Sequence, residues 1–397
     1  MNLFDLTKKL VGFNTVTNGS STQDMADFIS NYLESCGFRI ESYPYVNETD
    51  GLKKVNLIAR KGRGNSRLAL SGHMDTVGFK GSWDEEHFGD PLELTLRKTQ
   101  AAPRGIYCAR GVADMKLFLA VAMKAGEAIQ ASELKHSFAI CFTSDEEVGC
   151  LGARKLVKTG VHIADHIIVG EPTEMIPVYA HKGYVYPCFE LFGKKGHSSD
   201  PRRNGVSVIP ALAEVLKRIS DLEKRLEGIR DNRFNPPYPT LNVGVVSTNG
   251  QYDNGNKRVQ VVSSKNTLAE YCWLEMEIRT IPGQDSDEVL NVLNELIGSK
   301  IGKVNVKFRK TRRPTLPMET PRDSLIVKVA EEIADKKAIT VAYNTEAGVF
   351  NKSGAQSIVW GPGSIAQAHT NNEFVELKYF QPEIVEMYIK TIRKICC

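Results

Sequence analysis

The sequence has no apolar run near the eighteen or so residues that a membrane span requires, so a membrane protein is not expected. Its start, MNLFDLTKKLVGF, lacks the basic head, long apolar stretch and small-residue cleavage site of a secretory signal. Leu3, Leu6 and Leu10 there predict a short amphipathic helix instead. No CxxC occurs, and the eight cysteines are scattered, so a cytoplasmic protein with reduced thiols is expected. The terminal Cys396–Cys397 pair is a candidate exposed redox or metal feature only. Charge of one sign is also scarce in excess. The 51 basic and 47 acidic side chains leave a net +4, which gives no reason to expect nucleic acid or a membrane surface as partner. There is no GxxxxGK[ST] phosphate loop and no internal repeat.

What remains is a chain of 397 residues, 42% hydrophobic and 25% charged, close to an average globular protein. That length predicts two domains or one large one, with a core that needs no disulfides. Met25, Phe28, Ile29, Tyr32 and Leu33 follow helical spacing behind the capping candidates Ser20, Ser21 and Thr22. Short apolar runs follow at 55–59, 68–70, 138–142 and 167–169, with a helical stretch from Met115 to about Ile129 between the second and third. This alternation predicts an α/β domain with a mixed, largely parallel sheet flanked by helices. The texture changes after about residue 181. Segments 184–193, 240–246 and 271–281 read as half-exposed strands, with Leu274, Met276 and Ile278 alternating with Glu275, Glu277 and Arg279. A helix with the stripe Val208, Leu212, Val215, Leu216 and Ile219 lies between the first two, and 303–310 alternates again. The tail returns to the first pattern, with helices near 325–333 and 385–392 and a strand at 357–360. The expected organisation is therefore residues 1–181 and 312–397 as one domain, with 182–311 inserted as a smaller α+β domain. Residues 249–256, rich in Gly and Asn, read as a flexible loop. The basic run Lys307, Arg309, Lys310, Arg312 and Arg313 reads as a solvated edge strand and linker.

Candidate metal ligands fall just beyond predicted strands. The 68–70 run leads into Ser71-Gly72-His73-Met74-Asp75, and 138–142 leads into Thr143-Ser144-Asp145-Glu146-Glu147. The 167–169 run leads into Gly170-Glu171-Pro172, and 357–360 leads through Gly-Pro-Gly to His369. In an open α/β sheet, sites form beyond the carboxyl ends of strands, so these residues would converge. Asp114, before the Met115 helix, would join them. Asp75, two residues after His73, could hold one imidazole nitrogen so that the other faces a metal. Two histidines with three carboxylates suit a two-metal hydrolytic centre.

Ten segments then carry a family resemblance. They are SGHMDTV (71–77), ARGVADMK (109–116), TSDEEVGCLGA (143–153), VGEPT (169–173), AHKGY (180–184), GKKGHSSDP (193–201), PYPTLNVG (237–244), MEIRTIPG (276–283), NTEAG (344–348) and GPGSIAQAHTNNE (361–373). In this order, across nearly the whole chain, they resemble the M20 zinc metallopeptidase and deacylase family. The resemblance implies a zinc-peptidase-like catalytic domain with an inserted lid or dimerisation domain, and a homodimer. It implies two zinc ions, with cobalt or manganese as substitutes. Asp114 would bridge them, His73 and Glu171 would hold one, and Glu147 and His369 the other. Glu146 would be the general base and Asp75 would orient His73. His197, in the inserted domain, would act on the developing oxyanion, reaching it by domain closure or across a dimer interface. Asn266 and Arg279 would help bind substrate, Arg279 as a two-point partner for an α-carboxylate or else as a surface residue.

The branch that AHKG, GHSSDP, PYPTLN, TEA and GPGSIAQAH resemble implies removal of the acetyl group from N2-acetyl-L-ornithine. The products are ornithine, for arginine synthesis, and acetate. Glu346 is then a candidate acceptor for the substrate's side-chain ammonium, or it caps or braces its own segment. The alternatives are desuccinylation of succinyl-diaminopimelate or general deacylation of N-acyl amino acids on the same site. A metal-free binding protein is the alternative of another class. Two departures stand out: the 247–264 loop is longer than usual for that branch, and Leu117 replaces a common Gly.

Overall fold

The computed structural model describes residues 1–397 apart from 99–102, 104, 202, 204, 249, 255–256, 262–263 and 311–313, and without the side chains of 250–259 and 310. The chain divides into two compact units. The first comprises Met1–His181, Met318–Thr340 and Thr345–Cys397; the second comprises Lys182–Pro317 and Val341–Asn344. The expected return point at 312 lies outside the described residues. The short segment Val341–Asn344 belongs with the second unit, where a single continuous insertion was expected.

In the first unit, eight strands of the main sheet run in the order Arg39–Val46, Lys53–Lys61, Ser137–Thr143, Ser66–His73, His166–Val169, Gln356–Val359, Val178–His181, Met318–Glu319. The sheet is mixed. Its four central strands, from Ser137–Thr143 to Gln356–Val359, are mutually parallel. The strands that flank them on both sides pair antiparallel. The central strands are the apolar runs of the sequence, because a strand covered on both faces alternates nothing. Every residue of Ser137–Thr143 is buried. The cover comes from helices on opposite faces. Consecutive strand residues point to opposite sides. Ser71 meets Glu346 at the head of Ala347–Lys352, whereas a side chain at Gly72 would run into Met115 and Leu119. The helix Leu117–Glu127 is buried over nearly its whole length, and Leu117 itself is part of that packing. Thr22 stands at the start of Gln23–Ser35, yet its hydroxyl goes to Ser144 (2.7 Å). Cys396 is fully buried and Cys397 part-buried, and all eight cysteines are free.

The second unit is α+β. Its antiparallel sheet runs Thr240–Ser247, Tyr271–Thr280, Pro187–Phe192, Val304–Lys310, Lys300–Ile301. Cys272, Leu274, Met276 and Ile278 face a core built with Ile209–Leu226 and Ser286–Ile297. Asp285 starts the latter helix by accepting the amides of Asp287 and Glu288. Leu216, expected in the helical stripe, is 37% exposed, and Leu222 and Leu226 complete the stripe instead. The stretch expected as a flexible loop contains a strand: Gly250–Asn254 pairs antiparallel with Lys257–Val261. A Gly-Asn pair between two short β-forming runs is a hairpin signature that composition alone hides; Asn249, Gly255 and Asn256 themselves lie outside the described residues. In the basic run, Arg309 pairs with Glu190, and Lys307 lies opposite Glu190 across the ladder. Arg312, Arg313 and the Lys310 side chain are outside the described residues. Among the described residues, no helix is long and apolar enough to cross a membrane.

Gly170 shows how tightly the central strands' exits are packed. A Cβ there would lie 2.0–2.1 Å from Phe118 ring atoms. Gly170→Ala should therefore lower stability by about 1–3 kcal/mol through overpacking, measured by urea unfolding of the two proteins. An unchanged midpoint would contradict the packing.

Candidate active site

The four parallel strands end together, with His73 level with Thr143 in the ladder. Their exits deliver the ligand candidates. His73 closes its strand; Glu146 and Glu147 follow Thr143; Glu171 follows Val169; and His369 arrives from the loop after Val359. Asp114 lies in the turn Val112–Lys116 that leads into the buried helix. All of these belong to the first unit.

Asp114 is the centre of the arrangement. Its Oδ1 lies 2.9 Å from His73 Nε2, and the same nitrogen is 3.7 Å from Glu171 Oε1. Its Oδ2 lies 3.4 Å from His369 Nε2, which is 2.9 Å from Glu147 Oε2. One carboxylate thus faces two separate histidine–glutamate pairs, one with each oxygen. Glu147 Oε1 is buried with no hydrogen-bond partner. A buried, unpaired carboxylate oxygen is costly unless something cationic meets it. His73, Asp114 and Glu147 also form a group compact enough to surround an ion. The donor set, imidazole nitrogens and carboxylate oxygens, fits divalent metal chemistry.

The electrostatics agree. Burial, with help from neighbouring carboxylates, pushes the Glu146 carboxyl up to about 8. Burial also raises Glu147, and raises Glu171 well above the ordinary range beside Asp114. Burial opposes charge at Asp114 too, but hydrogen bonds from His369 and His73 overcome it and hold Asp114 low. His73 is raised well above its usual value, despite burial, by its bond to Asp114. Hydrogen bonds to Asp114 and Glu147 carry His369 up to about 11.

Asp75 does something other than expected. His73 Nδ1 bonds the backbone carbonyl of Asp75 (2.9 Å), while the nearer carboxylate oxygen is 3.7 Å away. That carboxylate instead accepts the amides of Glu146 (3.1 Å) and Glu147 (3.2 Å) and the hydroxyl of Thr17 (2.8 Å). Asp75 therefore orients His73 through its main chain and the Glu146–Glu147 turn through its side chain. Asp145, at a left-handed φ of 58°, anchors the same turn from below. It accepts from Tyr45 (2.9 Å) and Asn47 (3.0 Å) and pairs with the buried Lys54 (3.3 Å).

Glu346 is a correction. It is fully buried, and its two oxygens accept Ser71 (2.9 Å) and Thr143 (2.6 Å) hydroxyls. Fully buried, it braces two central strands and offers no exposed oxygen to a substrate ammonium, so of the two roles expected for it the bracing one fits.

His197, Asn266 and Arg279 belong to the second unit. The Ser198 amide donates to the Asn266 carbonyl (3.0 Å), which puts His197 and Asn266 on neighbouring segments. Ser199 holds His197 Nδ1 through its hydroxyl (2.7 Å) and its amide (3.2 Å). Arg279 pairs with Glu277, donates to Asn344 Oδ1 (3.2 Å) and stacks 5.3 Å from the Tyr184 ring centre. It is an engaged side chain rather than a loose surface arginine.

Two residues near the site went unassigned in the sequence. Glu373 is 1% exposed. Its Oε1 accepts the amides of Ala113 (2.7 Å) and Asp114 (3.0 Å); its Oε2 accepts the amide of Gly111 (2.8 Å) and Arg110 Nη1 (3.0 Å). Arg110 also donates from Nη2 to the Thr370 carbonyl (2.8 Å) and lies under Trp83. Glu373 closes the segment that contains His369, but no spacing rule links it to residues 110–114.

A carboxylate shared between two imidazole–carboxylate pairs, at the strand exits of an α/β sheet, places the protein among metal-dependent hydrolases. Residues 69–394 match the model for peptidase family M20/M25/M40, and the chain belongs to that family. Among its relatives, the acetylornithine deacetylase of Proteus mirabilis is 36% identical over 368 residues, covering 91% of this chain and 87% of the relative. That of Myxococcus xanthus is 35% identical over 377 residues, 93% and 91% respectively. A tripeptidase from Staphylococcus aureus shares the fold, with a TM-score of 0.72 at 19% identity over 99% of this chain and 98% of that one.

The side chains alone make stability depend on pH. Glu146 has a raised folded value, about 8 against an ordinary 4.5, and His369 about 11 against 6.5. In both, the fold favours the protonated form. Their stabilisation is complete below the ordinary values and is lost as pH rises through the folded ones. Asp114, held low, contributes throughout this window. Chelator-treated protein should therefore lose melting temperature from about pH 5 to 9, and added zinc should raise it most at the alkaline end. A flat or rising melting profile without metal would contradict this charge arrangement.

Proposed function

We propose that this protein hydrolyses the acetyl amide of N2-acetyl-L-ornithine to L-ornithine and acetate, a step of arginine biosynthesis. The observation that carries the reaction type is Asp114, whose two oxygens face two separate histidine–glutamate pairs. The choice of substrate is supported by the names of the 35–36% identical relatives.

In this reading His73 and Glu171 would hold one cation and His369 and Glu147 a second, with Asp114 shared between them. Zinc is the proposed ion; cobalt and manganese suit the same donors. When bound, the pair supplies a water of lowered proton affinity and a Lewis-acidic contact for the carbonyl oxygen. Glu146 takes a proton from the attacking water as its oxygen adds to the acetyl carbon. Its backbone, anchored through the amide bond to Asp75, holds the carboxylate in place for that task. Glu146 then gives the proton to the amine nitrogen as the carbon–nitrogen bond breaks, which an amide leaving group requires. The proposed oxyanion role of His197 rests on the motif resemblance, with Ser199 holding its Nδ1 edge. Arg279 is the proposed partner of the substrate α-carboxylate, with Asn266 beside His197, on the motif resemblance. A cytoplasmic location is supported by the eight free thiols.

A homodimer is supported by Thr240–Ser247, which ends the second unit's sheet among the described residues. It leaves Val245 and Val246 41% and 46% exposed. Open strand edges of this kind favour pairing with another chain. Light scattering should give twice the 44.1 kDa chain mass, and Val246→Lys should shift it toward one chain. A monomeric wild type would remove this part of the reading.

The reaction is tested by kcat/KM for acetylornithine, acetylmethionine and succinyl-diaminopimelate with added zinc, in wild type and Glu146→Gln. Acetylornithine should be preferred. The variant should retain its metal and lose about 10²–10⁴ in kcat. Preference for the succinyl substrate, or wild-type turnover in the variant, would overturn the substrate or the base respectively.

A further inference from the structure

We infer that the buried Arg110–Glu373 pair is a latch that sets the spacing of the metal-ligand loops, making both residues positioning residues for the cation pair. This rests on the two-cation reading above and adds the element that fixes its geometry.

Asp114 has to present its two oxygens in two directions at once, so the turn carrying it must be held from its own backbone. Glu373 does this. A carboxylate has about four lone-pair sites, and the Glu373 sites are filled by three consecutive-region amides, Gly111, Ala113 and Asp114, and by Arg110. Gly111 has a left-handed φ of 76°, and a Cβ there would come within 2.5 Å of Thr76 Cγ2, so the turn has little room to adopt another path. Glu373 lies four residues beyond His369, and Arg110 closes the loop by donating to Thr370, the residue after His369. His369 itself is non-glycine at a left-handed φ of 62°, a conformation that needs support from its surroundings. The shared ligand of both cations and the terminal ligand of one are thereby tied to each other through a single ion pair, 2% and 1% exposed at its two side chains.

A buried ion pair is by itself a poor argument for stability. The contact pattern is what points to positioning: three of four Glu373 bonds go to the amides of the Asp114 turn, and the Arg110 bond goes to the His369 loop. Glu373→Gln keeps the volume but presents an NH2 where amide donors already point. Arg110→Lys keeps the charge but cannot span Glu373 and Thr370 with a planar fork.

The measurement is Zn2+ affinity of the full-length protein by competition with a chromogenic chelator, together with the melting temperature before and after zinc addition. Wild type should bind two ions. Glu373→Gln should bind them about 10–100-fold more weakly, with a smaller zinc-induced rise in melting temperature. Arg110→Lys, the milder change, should weaken binding in the same direction and keeps the test usable should Glu373→Gln fail to fold. Zinc affinities of the folded variants within twofold of wild type, with only a lowered melting temperature, would show a structural pair and overturn the latch. Wild type binding no zinc would overturn the two-cation reading itself, and the latch with it.

Discussion

The structure depends on one electrostatic constraint: four carboxylates and two imidazoles are drawn together at the end of a buried sheet. Asp114 is stabilised as an anion by both histidines, whereas Glu146, Glu147 and Glu171 are each pushed toward the neutral acid. Two imidazoles cannot neutralise four acids once all are charged. Bringing such groups out of water without compensation costs several kcal/mol per ion. The fold tolerates the cluster because the rest of the first unit fixes it in place and because cations can satisfy it. Family membership, the shared Asp114 and the orphaned Glu147 oxygen are separate observations that lead to the same chemistry.

Much of what fixes the site is main chain held by acidic side chains. Asp75 grips the Glu146 and Glu147 amides, Asp145 is moored to Tyr45, Asn47 and Lys54, and Glu373 grips the Asp114 turn. Glu346 plays a related part beneath, tying Ser71 to Thr143. The acids around this centre therefore fall into two groups. Some point their oxygens into the site. Others spend theirs on backbone amides and hydroxyls, so that the first group cannot swing away. Residue type does not separate the two groups; only the fold does.

That division explains what could be read from the sequence. The central strands were legible because burial on both faces forces uninterrupted apolar runs, and His73, Glu146, Glu147 and Glu171 stood out as candidates because they close or closely follow those runs. The antiparallel strand Arg39–Val46 was not legible, since its alternating burial is not matched by residue type: Glu41 is part-buried and Val46 exposed. The paired strands 250–254 and 257–261 were hidden by the Gly and Asn content of this stretch. Asp75 lies beside His73 as expected, but its carbonyl rather than its carboxylate meets the ring. Glu346 and Glu373 were beyond reach for a different reason. A buried acid bonded to residues some 200 to 275 positions away has no local pattern, and the choice between ligand, substrate contact and brace is made by neighbours the sequence does not list side by side.

The second unit's use of Val341–Asn344 bears on how such proteins can be recombined. Cutting at 182 and 317 and swapping the intervening piece with that of a relative would carry over Arg279 but leave behind Asn344, the acceptor for its guanidinium. A chimera built with two junctions would thus mix parental halves of one contact. Four junctions, the extra pair flanking a tetrapeptide, are the smallest set that moves the module whole.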